Sequence, residues 1–189
     1  MTKDDALKII EELKNSPNMV KHEMAVGYAM AALYDYFESS TQHPEMARDD
    51  WEIVGLMHDA DYEITNKSLE LHTEETTKKL QEVKADQMII DAVRGHCDKA
   101  PRDTLMAKSV YSSDELCGLI VACALVQPDK KLKSVGVDSV LKKFKDHSFA
   151  RGANRDQIKT CEPELHVPLN EFIQIVLKSM QGKSQELGL

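Results

Sequence analysis

The 189-residue sequence has no CxxC pair, no apolar run long enough for a bilayer and no excess of basic residues. Each absence removes a class of function. The four cysteines, Cys97, Cys117, Cys123 and Cys161, lack the spacing of a zinc knuckle or a dithiol redox motif, and two of them sit inside an apolar stretch where cysteine acts as a small hydrophobe. A reduced, cytoplasmic setting follows as the economical expectation. The longest apolar run, LCGLIVACALV from Leu116 to Val126, is about half of what a membrane crossing needs. The opening segment MTKDDALKIIEEL is acidic and amphipathic, with no basic region ahead of an apolar run, so no signal peptide is expected. A net charge of -8 disfavours nonspecific attraction to nucleic acid or anionic membrane, so no stable partner of either kind is expected. Any anionic ligand must be drawn by a local site.

Strand alternation is also missing. Apolar residues instead recur at intervals of three and four, which predicts an all-α chain with helices near 4–14, 18–38, 45–60, 66–83, 85–97, 103–127, 137–146, 154–161 and 168–181. Pro17, Pro44, Pro101, Pro128 and Pro168 fall at or near the ends of these segments. The length fits one unit over residues 1–181, with a core over about 18–127 and a helical extension over about 128–181. Residues 182–189 lack an apolar face and read as a frayed tail.

Several polar residues stand on apolar stripes. His22 lines up with Val26, Ala29, Met30, Leu33 and Phe37, and His58 with Ala47, Trp51 and Val54, with Asp59 beside it. His72 aligns with Leu69, Thr76 and Leu80, and His96 closes the row Ala85, Ile89, Ala92 and Val93. Asp114 shares a face with Ala107, Val110, Cys117 and Val121. For any one of these positions a satisfied core histidine, or an aspartate capping a neighbouring helix, is the simpler reading. Six together shift the balance, because an uncompensated buried charge costs several kcal/mol and a shared countercharge removes that penalty. A divalent cation supplies it. Histidine and aspartate suit Mn, Fe, Co, Ni or Zn at about 2.0–2.2 Å.

The segments VKHEMAVGYAM, VGLMHDADYE and VYSSDELCGLI, in this order, resemble the HD superfamily of metal-dependent phosphohydrolases over roughly residues 18–127. The resemblance implies a helical bundle in which His22, His58, Asp59 and Asp114 hold one metal ion. It also implies a second ion held by His72 and His96, with Asp59 bridging. Where some members carry adjacent histidines, this chain has His96 followed by Cys97. Relatives that hydrolyse dinucleoside polyphosphates share the six-ligand order, although the lysine that often follows their His-Asp pair is absent from HDADYE. The segment from Leu125 to Ile158 is similar to the C-terminal part of a group of uncharacterised HD-domain hydrolases.

The implied activity is hydrolysis of a phosphate ester of a small molecule, a nucleotide among the candidates, by water that the metal acidifies and orients. Asp61 and Glu63 are candidates for proton handling or for supporting the ligands, with solvated loop acids as the alternative. Arg102, Lys108, Lys130 and Lys131 are candidates for contacting substrate phosphate, whereas Lys142, Lys143 and Lys145 read as the solvated face of an amphipathic helix. Two other readings stay open: a dinuclear iron oxygenase of the same fold, and a nucleotide-binding regulatory module without turnover. A homodimer is compatible with all three.

Overall fold

The computed structural model describes residues 1–189 as eleven α-helices and one short 3-10 turn, with no strand. The helices are α1 (Lys3–Glu12), α2 (Pro17–Glu38), α3 (Arg48–Met57), α4 (Glu74–Glu82), α5 (Gln87–Gly95), α6 (Leu105–Leu125), α7 (Val137–Lys145), α8 (Arg155–Lys159), α9 (Cys161–Leu165), α10 (Leu169–Gly182) and α11 (Ser184–Leu187). The all-helical expectation therefore holds. No helix is long and apolar enough to cross a membrane.

The two long helices organise the rest. Helix α2 starts at Pro17 behind Ser16, whose hydroxyl accepts from the Met19 amide, and packs along α3, α6 and α10. Helix α6 starts behind Thr104, which caps Ala107, and meets α2, α5, α8 and α9. One contiguous core runs from Ala6 through Phe37, Trp51 and Phe172 to Leu187.

Contact between α2 and α3 is closest where two glycines meet. A Cβ on Gly55 would lie 2.6 Å from the Gly27 Cα and amide nitrogen, inside van der Waals contact with the backbone of α2. Neither helix could come this near with a side chain at Gly55. The close approach brings His22, five residues before Gly27, toward His58, three residues after Gly55.

Three expectations differ from the structure. The third helix begins at Arg48 instead of 45, because Met46 takes a positive φ of 66° that turns the chain, leaving Pro44 in the loop and Ala47 exposed at the helix start. The fourth begins at Glu74 instead of 66. Residues 58–73 form consecutive turns, with Asn66, Lys67 and Thr73 all at positive φ, and Leu69, expected on an apolar stripe, is 75% exposed. The C-terminal segment does not fray: Leu187 is buried on α11, and the Tyr28 hydroxyl donates to Glu186, so one apolar anchor and one hydrogen bond dock it on α2.

Candidate metal centre

Helix α3 delivers His58 to a fully buried position. Its Nδ1 donates to the Gly55 carbonyl at 2.7 Å. A carbonyl can only accept, so Nδ1 carries the proton of the neutral ring and Nε2 is left as an acceptor. That Nε2 faces His22 Nε2 at 3.3 Å and Asp114 Oδ1 at 3.4 Å, while His22 Nε2 and Asp114 Oδ1 stand 2.9 Å apart. Asp59 Oδ2 completes the group, 3.7 Å from His58 Nε2 and 3.8 Å from His22 Nε2. Ligand atoms of these four residues, from α2, the end of α3 and α6, all lie within 4.8 Å of one another.

A second group adjoins it. His96, just past α5, donates from Nδ1 to the Val93 carbonyl at 2.5 Å, and His72 donates from Nδ1 to Asp61 Oδ1 at 2.9 Å. Both Nε2 atoms are thereby acceptors, yet they face each other at 2.9 Å. Asp59 Oδ1 stands 3.2 Å from His72 Nε2 and 3.3 Å from His96 Nε2. The two oxygens of Asp59 thus point into different groups. The rings of His58 and His96 are 5.1 Å apart, edge to face.

Acceptors in contact repel unless a proton or a cation lies between them. Without a cation, protons fill that role: burial alone would lower the His58 pKa, but Asp59 and Asp114 outweigh it and hold it up at about 10. Burial would likewise raise the carboxyls of Asp59 and Asp114, and His58 together with the hydrogen-bonding histidines pulls both below the usual range. The His72 ring, which burial alone would discharge, is raised by Asp59 and Asp61. The donor set therefore fits a divalent transition ion, which satisfies the same acceptors with two positive charges at one point.

Asp61 shows how the second group is held. It is fully buried, and its Oδ1 accepts from His72 Nδ1 and from the Thr73 amide at 2.8 Å, while Oδ2 accepts from the Thr76 amide at 3.1 Å. Burial would raise its carboxyl, but these donors outweigh it and hold the group ionised. Thr73 sits at positive φ and does not cap α4 itself, so Asp61 caps that helix and orients a histidine with one carboxylate. It is neither a solvated loop acid nor free to move protons. Lys99, which the sequence did not single out, donates to the carbonyls of Glu70 and His72 and to Glu74, strapping the turns before α4 to the end of α5.

The other candidates stand elsewhere. Glu63 accepts from the Ser16 amide and hydroxyl, anchoring the start of α2, and does not line the pocket over the ligands. Arg102 pairs with Asp98 and the Gly95 carbonyl and stacks on Tyr111, 3.7 Å from the ring centroid, behind the wall of the site. Lys108, on α6, is not among the residues that line it. Lys130 is exposed, and Lys131 borders a separate cleft with Lys133 and Gln185. The sequence could not separate these lysines from the site because charge alone carries no direction.

A pocket of about 610 Å³ opens over both groups. His22, Asp59, His72, His96 and Asp114 form its floor, and its walls include Tyr62, Cys97, Asp98, Tyr111, Glu115, Asn154 and Gln157. No lysine or arginine lines it. Burial, then the charge of Asp114, raises the Glu115 carboxyl above its ordinary value. The region after α6 supplies one wall: the buried Arg155 gathers the carbonyls of Phe149, Ala150 and Ala153, which sets Asn154 against Glu115 and Gln157 against the Tyr111 carbonyl. No protein-family model, no curated protein and no solved structure matches the chain.

Proposed function

We propose that this chain is a metal-dependent phosphohydrolase of the HD superfamily that hydrolyses a phosphate ester of a small molecule. The observation that carries the reading is the pair of acceptor groups sharing Asp59, in the same six-ligand order that the resemblance implies. When bound, the ions supply positive charge for the phosphoryl oxygens and acidify water near neutral pH. The chain's own residues do the remainder. His22, His58 and Asp114 would hold one ion and His72 and His96 the other, with Asp59 offering one oxygen to each group, while Asp61 keeps His72 in the tautomer that presents Nε2. Tyr111, Asn154 and Gln157 line the wall against which the rest of the substrate lies, and the pocket volume suits a molecule up to the size of a nucleotide.

With no lysine or arginine in the lining, bound metal ions would be the source of positive charge for an anionic substrate. The same feature favours a second reading, an iron oxygenase of the same fold, for which an uncharged polyol is a better match than a phosphonate. Protein purified without added metal, assayed for elements and then for phosphate release from nucleotides and sugar phosphates with and without oxygen, separates the two. Oxygen-independent phosphate release is the expected result, and oxygen consumption with substrate but no phosphate release would overturn it. Asp59→Ala is expected to abolish metal retention and turnover with helical circular dichroism preserved. Turnover surviving in that variant would refute the assignment.

A further inference from the structure

The second group has one more ligand-capable atom than the six-ligand order assigns. Cys97 Sγ and ligand atoms of His72 and His96 lie within 4.8 Å of one another, and Cys97 lines the same pocket. The chain there is tightly held. After α5 it closes in a left-handed turn, with Asp98 at a φ of 64°, the Asp98 amide donating to the Gly95 carbonyl and the Lys99 amide to the Arg94 carbonyl. This turn puts the side chains of consecutive residues, His96 and Cys97, on one side of the pocket.

In the metal-free chain burial raises the Cys97 thiol above its ordinary value, so a bound ion is what would displace its proton. The thiol donates to the Arg94 carbonyl at 3.4 Å. The hydroxyl of Thr73, a fully buried residue, lies 3.8 Å from Cys97 Sγ and is its other polar neighbour. Thr73 is itself fixed through its amide to Asp61, the residue that orients His72. The other three cysteines are buried in the core and do not line the pocket.

We propose that Cys97 is a thiolate ligand of the second ion, completing with His72, His96 and Asp59 a four-ligand site for a thiophilic divalent ion such as Zn, Co or Fe in preference to Mn or Mg. Two imidazoles, one thiolate and one shared carboxylate match the tetrahedral preference of such ions, and the thiolate adds a negative charge that the shared Asp59 carboxylate cannot supply in full to either ion. On binding, the thiol proton leaves to solvent and the sulfur lone pair forms the bond to the ion. The proposal rests on the metal reading above and is independent of the reaction the site performs.

Titration of the full chain, stripped with chelator, with Co²⁺ tests it. The first equivalent is expected to give visible ligand-field bands, and the second to add a sulfur-to-cobalt charge-transfer band in the near ultraviolet. Cys97→Ser should remove that band, keep the visible bands of the His22 centre and weaken second-ion binding by more than the roughly 10–100-fold typical of losing a supporting hydrogen bond. Cys97→His should restore binding of the second ion without the band. In parallel, an aromatic disulfide reagent should modify Cys97, the one cysteine that is not buried, in the metal-free native chain and spare it once the second ion is bound. Visible bands with no sulfur band, a band that persists in Cys97→Ser, or unchanged thiol reactivity with the second ion bound would each overturn the proposal. A chain that takes up a single ion and leaves the thiol reactive refutes it and leaves the His22 centre standing. A chain that takes up no Co²⁺ refutes both.

Discussion

His58 and Asp61 are three residues apart, and the sequence exposes one and hides the other. His58 follows Trp51 and Val54 at helical spacing, so its burial could be read from periodicity. Asp61 lies in a polar stretch with no such frame, and its full burial depends on α4 folding back to bring the amides of Thr73 and Thr76 onto its oxygens. Hydrogen bonds between residues more than ten apart leave no local trace. The role they create is testable. Asp61→Asn should leave the His22 centre intact and weaken the second ion about 10–100-fold, since an amide can present the wrong group to His72 Nδ1. Ion-by-ion competition against a chelator of known affinity measures it, and equal loss at both centres would refute the assigned role.

At the scale of helices, the long segments were legible and the linkages between them were not. Helices α2 and α6 carry sustained periodicity and clear caps, and both expected spans agree with the structure to within a few residues. The span read as 66–83 mixes a real helix with a stretch of turns, because Asn66, Lys67 and Thr73 adopt left-handed backbone that side-chain spacing does not report. Glycines carried a similar ambiguity. Gly55 and Gly118 both interrupt apolar helices in the sequence, yet a Cβ at Gly118 would meet nothing within 4 Å whereas one at Gly55 strikes the α2 backbone. Gly55→Ala is therefore expected to destabilise the protein by about 1–3 kcal/mol or more through overpacking and to weaken the metal centre by spreading His22 from His58. Gly118→Ala should leave stability unchanged or raise it by up to about 1 kcal/mol, from helix propensity. Thermal melts and metal content of the two variants decide it, and a Gly55→Ala protein as stable as the parent would count against the close helix contact.

Taken whole, the molecule gathers histidines and acids from five separate regions into one cluster that could hold a cation. Ligand linkage then makes a global prediction. With a free divalent ion at about 100 times its dissociation constant, stability should rise by about 2.7 kcal/mol, roughly 5–10 °C in Tm for a chain of this length. Chelator should reverse the gain, and a melting temperature indifferent to Zn²⁺, Co²⁺ and Mn²⁺ would refute the metal centre. The helical class and most of the ligand candidates could be read from the order of residues, because periodicity is a property of short windows; His72 lies in turns before α4, and the stripe drawn through it with the exposed Leu69 is not there. Folding alone settled that Asp59 faces two groups, that Asp61 serves His72, that Cys97 joins the second group and that the lysines lie away from the pocket. Those are distances between atoms remote along the chain, and they exist only after α2 and α3 meet at their glycines and the turns before α4 close against α5.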